Sequence, residues 1–206
     1  MQLKDNALII FAKSPLPGQV KTRLTPEFSA EQAATIHQQL LEHCVANLAR
    51  FKNADVQLHC SPNTSHAFFQ YLKAIYRLPL YSQPDGDLGQ RMSVALFNAL
   101  VEYKKVLLVG SDVPALNINY IRKAYTALDD NDIVLGPAED GGYVLVGLTR
   151  PQPLMFDQID WGTDKVLQQS IDRLQPAYPL LLDTLWDVDL PEDVARFREM
   201  LNRRYS

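Results

Sequence analysis

What most limits the fold of this chain is an alternation of short apolar runs, each bounded by turn residues, with longer segments of helical period. The runs are Ala7–Ala12, Val56–Cys60, Leu78–Ser82, Val106–Gly110, Ile133–Gly136, Tyr143–Leu148 and Tyr178–Leu182. Most are apolar at nearly every position, as expected of strands buried on both faces rather than on one. The pattern predicts a mostly parallel sheet covered by helices on both sides, a three-layer α/β/α sandwich of Rossmann-like type.

The intervening segments carry helix signals. Ser29 with Gln32 three positions later forms a capping-box pattern, and Ile36, Leu40, Cys44 and Leu48 follow at a spacing of four, predicting one apolar face. Further helices are expected over Ser65–Tyr76, Leu88–Tyr103, Asn117–Leu128, Asp164–Leu174 and Pro191–Arg203. With 206 residues, 47% of them hydrophobic, the chain is expected to form one domain over residues 1–206. No repeat or proline-dense linker divides it. A net charge of -4 exerts no general pull on nucleic acid or an anionic membrane. The first apolar run is much shorter than the ~20 residues of a membrane span and lacks a cleavage signal. Two cysteines, Cys44 and Cys60, suggest neither a disulfide framework nor a zinc site. A cytoplasmic protein without nucleic-acid or membrane partners is the expectation.

Three loop features carry the chemistry. The first follows Ala7–Ala12 and contains Lys13, Pro15, Pro17, Gly18, Lys21 and Arg23. Ligands of open α/β sheets bind at the carboxyl ends of strands, where this loop lies. The prolines stiffen it, Gly18 admits backbone N–H groups to an anion, and Lys21 and Arg23 offer a point charge and a planar fork suited to phosphate. A solvated basic loop is the plainer alternative. The sequence matches neither the P-loop pattern nor the G-x-G-x-x-G fingerprint, which weakens ATPase and dehydrogenase assignments.

The second is the pair of acidic loops. Val106–Gly110 delivers Asp112, and Ile133–Gly136 leads to Glu139, Asp140, Gly141 and Gly142. Asp112 and Asp140 across neighbouring strand ends would supply two hard oxygen ligands for Mg²⁺ or Mn²⁺. An Asx-turn is the plainer account of Asp112, and an ordinary turn that of the second acidic loop. The third loop, Gln83 to Met92, contains Gly89 and Arg91 beside a helix N-terminus, where Gln83 can reach a nucleobase edge. Asp87 there also reads as an ordinary N-cap.

Taken in order, Phe11 to Leu24, Asp87 to Met92, Gly110 to Leu116 and Gly136 to Tyr143 resemble a bacterial glycosyltransferase family of GT-A fold once catalogued as a domain of unknown function. That family is related to phospholactate guanylyltransferases and molybdenum-cofactor nucleotidyltransferases. The resemblance implies a nucleotide-diphospho-sugar transferase fold, with Lys21 and Arg23 near donor phosphates, Asp112 on a metal and Asp140 near the reacting centre. The family's usual Asp-x-Asp motif is reduced here to Asp112 alone.

The expected activity is metal-dependent transfer of a glycosyl group from a nucleotide sugar to a small-molecule acceptor. In this scheme Lys13, Gly18, Lys21, Arg23, Gln83, Gly89 and Arg91 bind the nucleotide, and Asp112 and Asp140 serve the metal and the chemistry. A nucleotidyltransferase consuming a nucleoside triphosphate and releasing pyrophosphate is the second expectation. A non-catalytic nucleotide-binding protein is the third. Two remaining segments read first as structural, Thr163 as an N-cap and Asp189 with Glu192 as a capping box ahead of the last helix. The resemblance implies that the Thr163 loop borders an acceptor pocket and that Asp187 to Asp193 is the aspartate-rich entry to the last helix of related transferases. The four histidines, His37, His43, His59 and His66, show no metal-binding spacing.

Overall fold

The computed structural model describes residues 2–204. Its core is a seven-stranded sheet made of β1 (Lys4–Lys13), β2 (Asp55–Ser61), β3 (Leu80–Ser82), β4 (Tyr103–Gly110), β5 (Ile133–Pro137), β6 (Tyr143–Leu148) and β7 (Leu180–Leu181). The strand order is β3-β2-β1-β4-β6-β5-β7. All pairings are parallel except those of β6, which runs antiparallel between β4 and β5. The helices are α1 (Ala30–Leu48), α2 (Ala67–Tyr76), α3 (Leu88–Leu100), α4 (Ile118–Ala127), α5 (Val166–Leu174) and α6 (Pro191–Arg204). The three-layer α/β/α sandwich expected from the alternation is therefore present.

Strand alternation sorts the core. Leu8, Ile10, Val56, Leu58, Leu107 and Val109 face α1, α2 and α4. Ala7, Ile9, Val106, Leu108 and Val146 face α3, α5 and the short 3-10 turn Pro153–Phe156. A third cluster joins α1 to α6 through Leu24, Ile36, Leu40, Trp186, Val188 and Phe197.

Several boundaries move for local reasons. The strand expected from Leu78 pairs only from Leu80, because Pro79 has no N–H to give a ladder. The helix expected to reach Tyr103 ends at Leu100, since Tyr103 already pairs with Lys4 across β4 and β1. The run expected from Tyr178 to Leu182 is a strand only at Leu180–Leu181. The stripe at a spacing of four is also not a single face. Each step of four overshoots a helical turn by about 40°, so Ile36 and Leu40 pack toward α6 while Cys44 and Leu48 pack on the sheet.

Ser29 and Gln32 form the expected reciprocal capping box. The box expected from Asp189 and Glu192 is absent. Asp193 instead accepts the Asp189 and Leu190 N–H groups, which leaves the Asp189 side chain free for another role. Thr163 accepts the Lys165 N–H in the turn before α5, whose N-cap is Lys165 itself. Among the described residues, no helix is long and apolar enough to cross a membrane.

Candidate functional site

The chain leaves β1 for β2 and β3 on one side and returns to β4 on the other, so the strand order reverses beside β1. The carboxyl ends of strands flanking such a reversal splay apart and form a crevice. A cavity of about 440 Å³ opens there, and Lys13, Lys21, Arg23, Gln83, Arg91 and Asp112 all line it.

Lys21 is its electrostatic centre. It adopts a left-handed conformation (φ 48°) at the start of the 3-10 turn Thr22–Leu24, an uncommon choice for a side chain with a Cβ. That turn tucks the side chain inward, leaving it 7% exposed. Its Nζ donates to Asp112 Oδ2 at 2.6 Å and lies 3.6 Å from Asp189 Oδ1. Burial pulls its pKa down, but the Asp112, Asp189 and Asp187 carboxylates outweigh that and raise it overall. Burial likewise pushes the Asp112 carboxyl up, and Lys21 reverses the sign to hold it below its usual value. Both groups are therefore charged. The capping of α4 falls to Asn117, so Asp112 is not needed there.

Arg23 spans the mouth. Its Nη1 donates to Asp189 Oδ2 at 2.8 Å and its Nη2 to the Gly162 carbonyl at 3.4 Å. Its side chain is 58% exposed and accessible to an incoming anion.

Asp187 and Asp189 are the site residues that capping logic concealed. After β7 the chain runs alongside the end of β5, bridging Ala138 to Leu185 and donating Val188 N–H to the Asp112 carbonyl. Val188 is fully buried between them, while Asp189 lines the cavity and Asp187 lies close enough to Asp112 to sense its charge. Asp187-Val188-Asp189 thus supplies an Asp-x-Asp spacing late in the chain, the signal that identifies the pair. Burial, then repulsion from Asp112 and Asp140, pushes the Asp187 carboxyl up to about 6. His37 is a further residue concealed from sequence: it lines the cavity, and its Nε2 lies 3.0 Å from the Lys13 carbonyl.

The strands that lead to Asp112 and Asp140 are not the neighbours that the sequence suggests. Antiparallel β6 intervenes between β4 and β5, and Asp140 Oδ1 accepts the Gly142 N–H in a turn outside the cavity lining. Asp187 instead senses both aspartates. Gly18 (φ 75°) lies in open space and is not part of the lining. Gly89 is buried in α3, where an added Cβ would lie 2.6 Å from the Phe156 carbonyl and 2.7 Å from the Trp161 ring. Its smallness serves packing.

Arg91 is held entirely by neutral acceptors: Gln83 Oε1 at 2.9 Å, the Asp87 carbonyl at 3.3 Å and Ser61 Oγ at 3.5 Å. Gln83 in turn ties β1 and β2 together by donating to the Ala12 and His59 carbonyls. Asp87 and Gln90 cap α3 reciprocally.

Among the described residues, no three His, Cys, Asp or Glu side chains form a ready metal cage. The donor set nevertheless suits a divalent ion. Mg²⁺ commonly takes one or two carboxylates and completes its shell with phosphate and water, and the mutual repulsion at Asp187 marks a local excess of negative charge.

A model of a bacterial family described as uncharacterized (DUF2064) matches residues 44–163. A solved protein from Desulfovibrio desulfuricans G20, provisionally described as a nucleotide-diphospho-sugar transferase, is 32% identical; the match covers 91% of this chain and 84% of that one, with a TM-score of 0.82. A 4-diphosphocytidyl-2C-methyl-D-erythritol synthase from Anaerococcus prevotii DSM 20548 is 13% identical over 97% of this chain and 99% of that one, with a TM-score of 0.62. Rv0371c from Mycobacterium tuberculosis H37Rv, solved with manganese, is 17% identical over 96% of this chain and 100% of that one, with a TM-score of 0.59. The last two show a shared fold. No functionally curated protein matches the sequence.

Proposed function

Because the chain belongs to the bacterial DUF2064 family, we propose that it is a transferase using a nucleotide-activated donor, and that it moves a glycosyl group from a nucleotide sugar to a small-molecule acceptor. The carrying observation is the convergence of Lys21, Arg23, Asp112, Asp187 and Asp189 at one end of an open cavity. The description of the 32%-identical relative supports the same assignment.

Asp112 and Asp187 are the residues that would hold Mg²⁺ or Mn²⁺, which would neutralise charge developing on a diphosphate leaving group. Lys21 and Arg23 bind the diphosphate oxygens directly, Lys21 as a buried point charge and Arg23 as a fork at the mouth. When the donor enters, phosphate oxygens replace Asp189 as partners of Arg23. That exchange keeps the guanidinium paired. Asp140, beyond Asp187, orients or deprotonates the acceptor hydroxyl. Gln83 and Arg91 face the remaining part of the nucleotide.

The test is product analysis with nucleotide sugars and nucleoside triphosphates, each offered with a broad acceptor set in Mg²⁺ or Mn²⁺. Metal-dependent release of a nucleoside diphosphate from a nucleotide sugar is expected. Pyrophosphate release from a triphosphate would replace glycosyl with nucleotidyl transfer, and binding without any product would refute an enzymatic role.

A further inference from the structure

The cavity is chemically polarised. Lys21, Arg23 and the carboxylates form one region, while Phe11, Met92 and Leu108 belong to the apolar cluster on the α3 side of the sheet, with Leu88 alongside. An apolar wall suits a flat ring, and the polar groups that α3 and the loop before it bring there are Gln83 and Arg91.

Their hydrogen-bonding capacity is nearly spent, and what remains is specific. Both Gln83 Nε2 hydrogens go to backbone carbonyls, Ala12 at 3.1 Å and His59 at 2.9 Å. Two carbonyls can be met only by the NH₂ end, so the amide orientation is set and Oε1 must face Arg91. That oxygen accepts one bond from Arg91 Nη1 at 2.9 Å and keeps a second lone pair. Arg91 uses Nε on the Asp87 carbonyl and Nη1 on Gln83 and Ser61. Its two Nη2 hydrogens meet no acceptor among the described residues. The cavity wall therefore presents a donor beside an acceptor, carried by side chains anchored on β1, β2 and α3.

We propose that Arg91 Nη2 and Gln83 Oε1 together read the lactam edge of a nucleobase, a carbonyl beside a ring N–H, so that the site takes a guanine or uracil nucleotide and rejects adenine and cytosine. This inference rests on the nucleotide-dependent transferase assignment and names its base class. In guanine and uracil, the carbonyl accepts from Arg91 and the neighbouring N–H donates to Gln83. Adenine and cytosine present the reverse edge, an amino group beside an unprotonated ring nitrogen. Donor would then oppose donor and acceptor oppose acceptor. A site built to hydrogen-bond one edge rejects the other because its own polar groups, covered by the ring, lose their partners.

The experiment is calorimetric titration of the whole protein with GDP, UDP, ADP and CDP in Mg²⁺, repeated on Arg91→Met. Wild-type protein is expected to bind GDP or UDP at least about tenfold more tightly than both ADP and CDP. In Arg91→Met that preference should collapse while the diphosphate still binds. Which of GDP and UDP is tighter identifies the base. Equal or tighter binding of ADP or CDP overturns the inference and leaves the transferase assignment standing, whereas binding of none of the four removes both. The wild-type comparison decides the matter even if the variant folds poorly, and a preference that survives in a folded Arg91→Met refutes the role given to Arg91.

Discussion

Replacing Asp187 with Asn should stabilise the ligand-free protein while impairing its function. Burial and the Asp112 and Asp140 charges raise this carboxyl from 3.8 to about 6. A raised acid pKa means that the folded state binds the proton more tightly than the unfolded state. Folding therefore loses stability as pH rises between those values and carries the full penalty above the upper one. At about 1.4 kcal/mol per tenfold in proton affinity, the undiscounted cost is about 3 kcal/mol. Partial exposure of Asp187 screens it, leaving on the order of 1–2 kcal/mol. Asn keeps the shape and removes the charge. For a chain of this size the gain corresponds to an increase in melting temperature of at least about 2 °C at pH 7.5, most of it lost near pH 4, where the folded carboxyl is protonated. Differential scanning calorimetry at the two pH values measures it. The same variant should lose the additional stabilisation that Mg²⁺ with a nucleoside diphosphate gives the parent. A lower melting temperature at pH 7.5, or an equal gain at pH 4, would refute burial and like-charge repulsion of the Asp187 carboxylate as the cause.

Lys21→Met leaves Asp112 without its close counter-ion, and should cost about 2–3 kcal/mol in urea unfolding and weaken nucleoside diphosphate binding at least about tenfold. Arg23→Ala removes an exposed pair, so it should change stability by less than about 1 kcal/mol yet still weaken diphosphate binding; a loss confined to stability would place Arg23 outside the site. Gly89→Ala forces a methyl group against the Phe156 carbonyl and the Trp161 ring and should destabilise by about 1–3 kcal/mol, read by thermal melting. Unchanged melting there would show that the turn at Pro153–Phe156 yields freely.

Local chemistry made much of this protein legible in advance. Apolar continuity marked the strands, and capping patterns at Ser29 and Asp87 located two helix starts, because burial and capping depend on neighbours within a few positions. Lys21, Arg23 and Asp112 were identifiable because charged residues beyond buried strands project from the sheet's carboxyl edge. The rest depended on distant segments meeting. The insertion of antiparallel β6 put a strand between β4 and β5, and the path after β7 brought Asp187 and Asp189 from far along the chain to Lys21. Local reading had given Asp189 a capping role, since a carboxylate near a helix start satisfies that pattern whether or not it is used. Gln83 and Arg91 are legible in the sequence as nucleotide-binding candidates in one loop, but not the hydrogen-bonding pattern they present together. Their shared orientation comes from β1, β2 and α3 closing around them. The sequence by itself determined which groups could be charged, buried or capped; the tertiary structure alone decided which of them meet, because Coulombic and hydrogen-bond energies depend on distances through space that strand order sets.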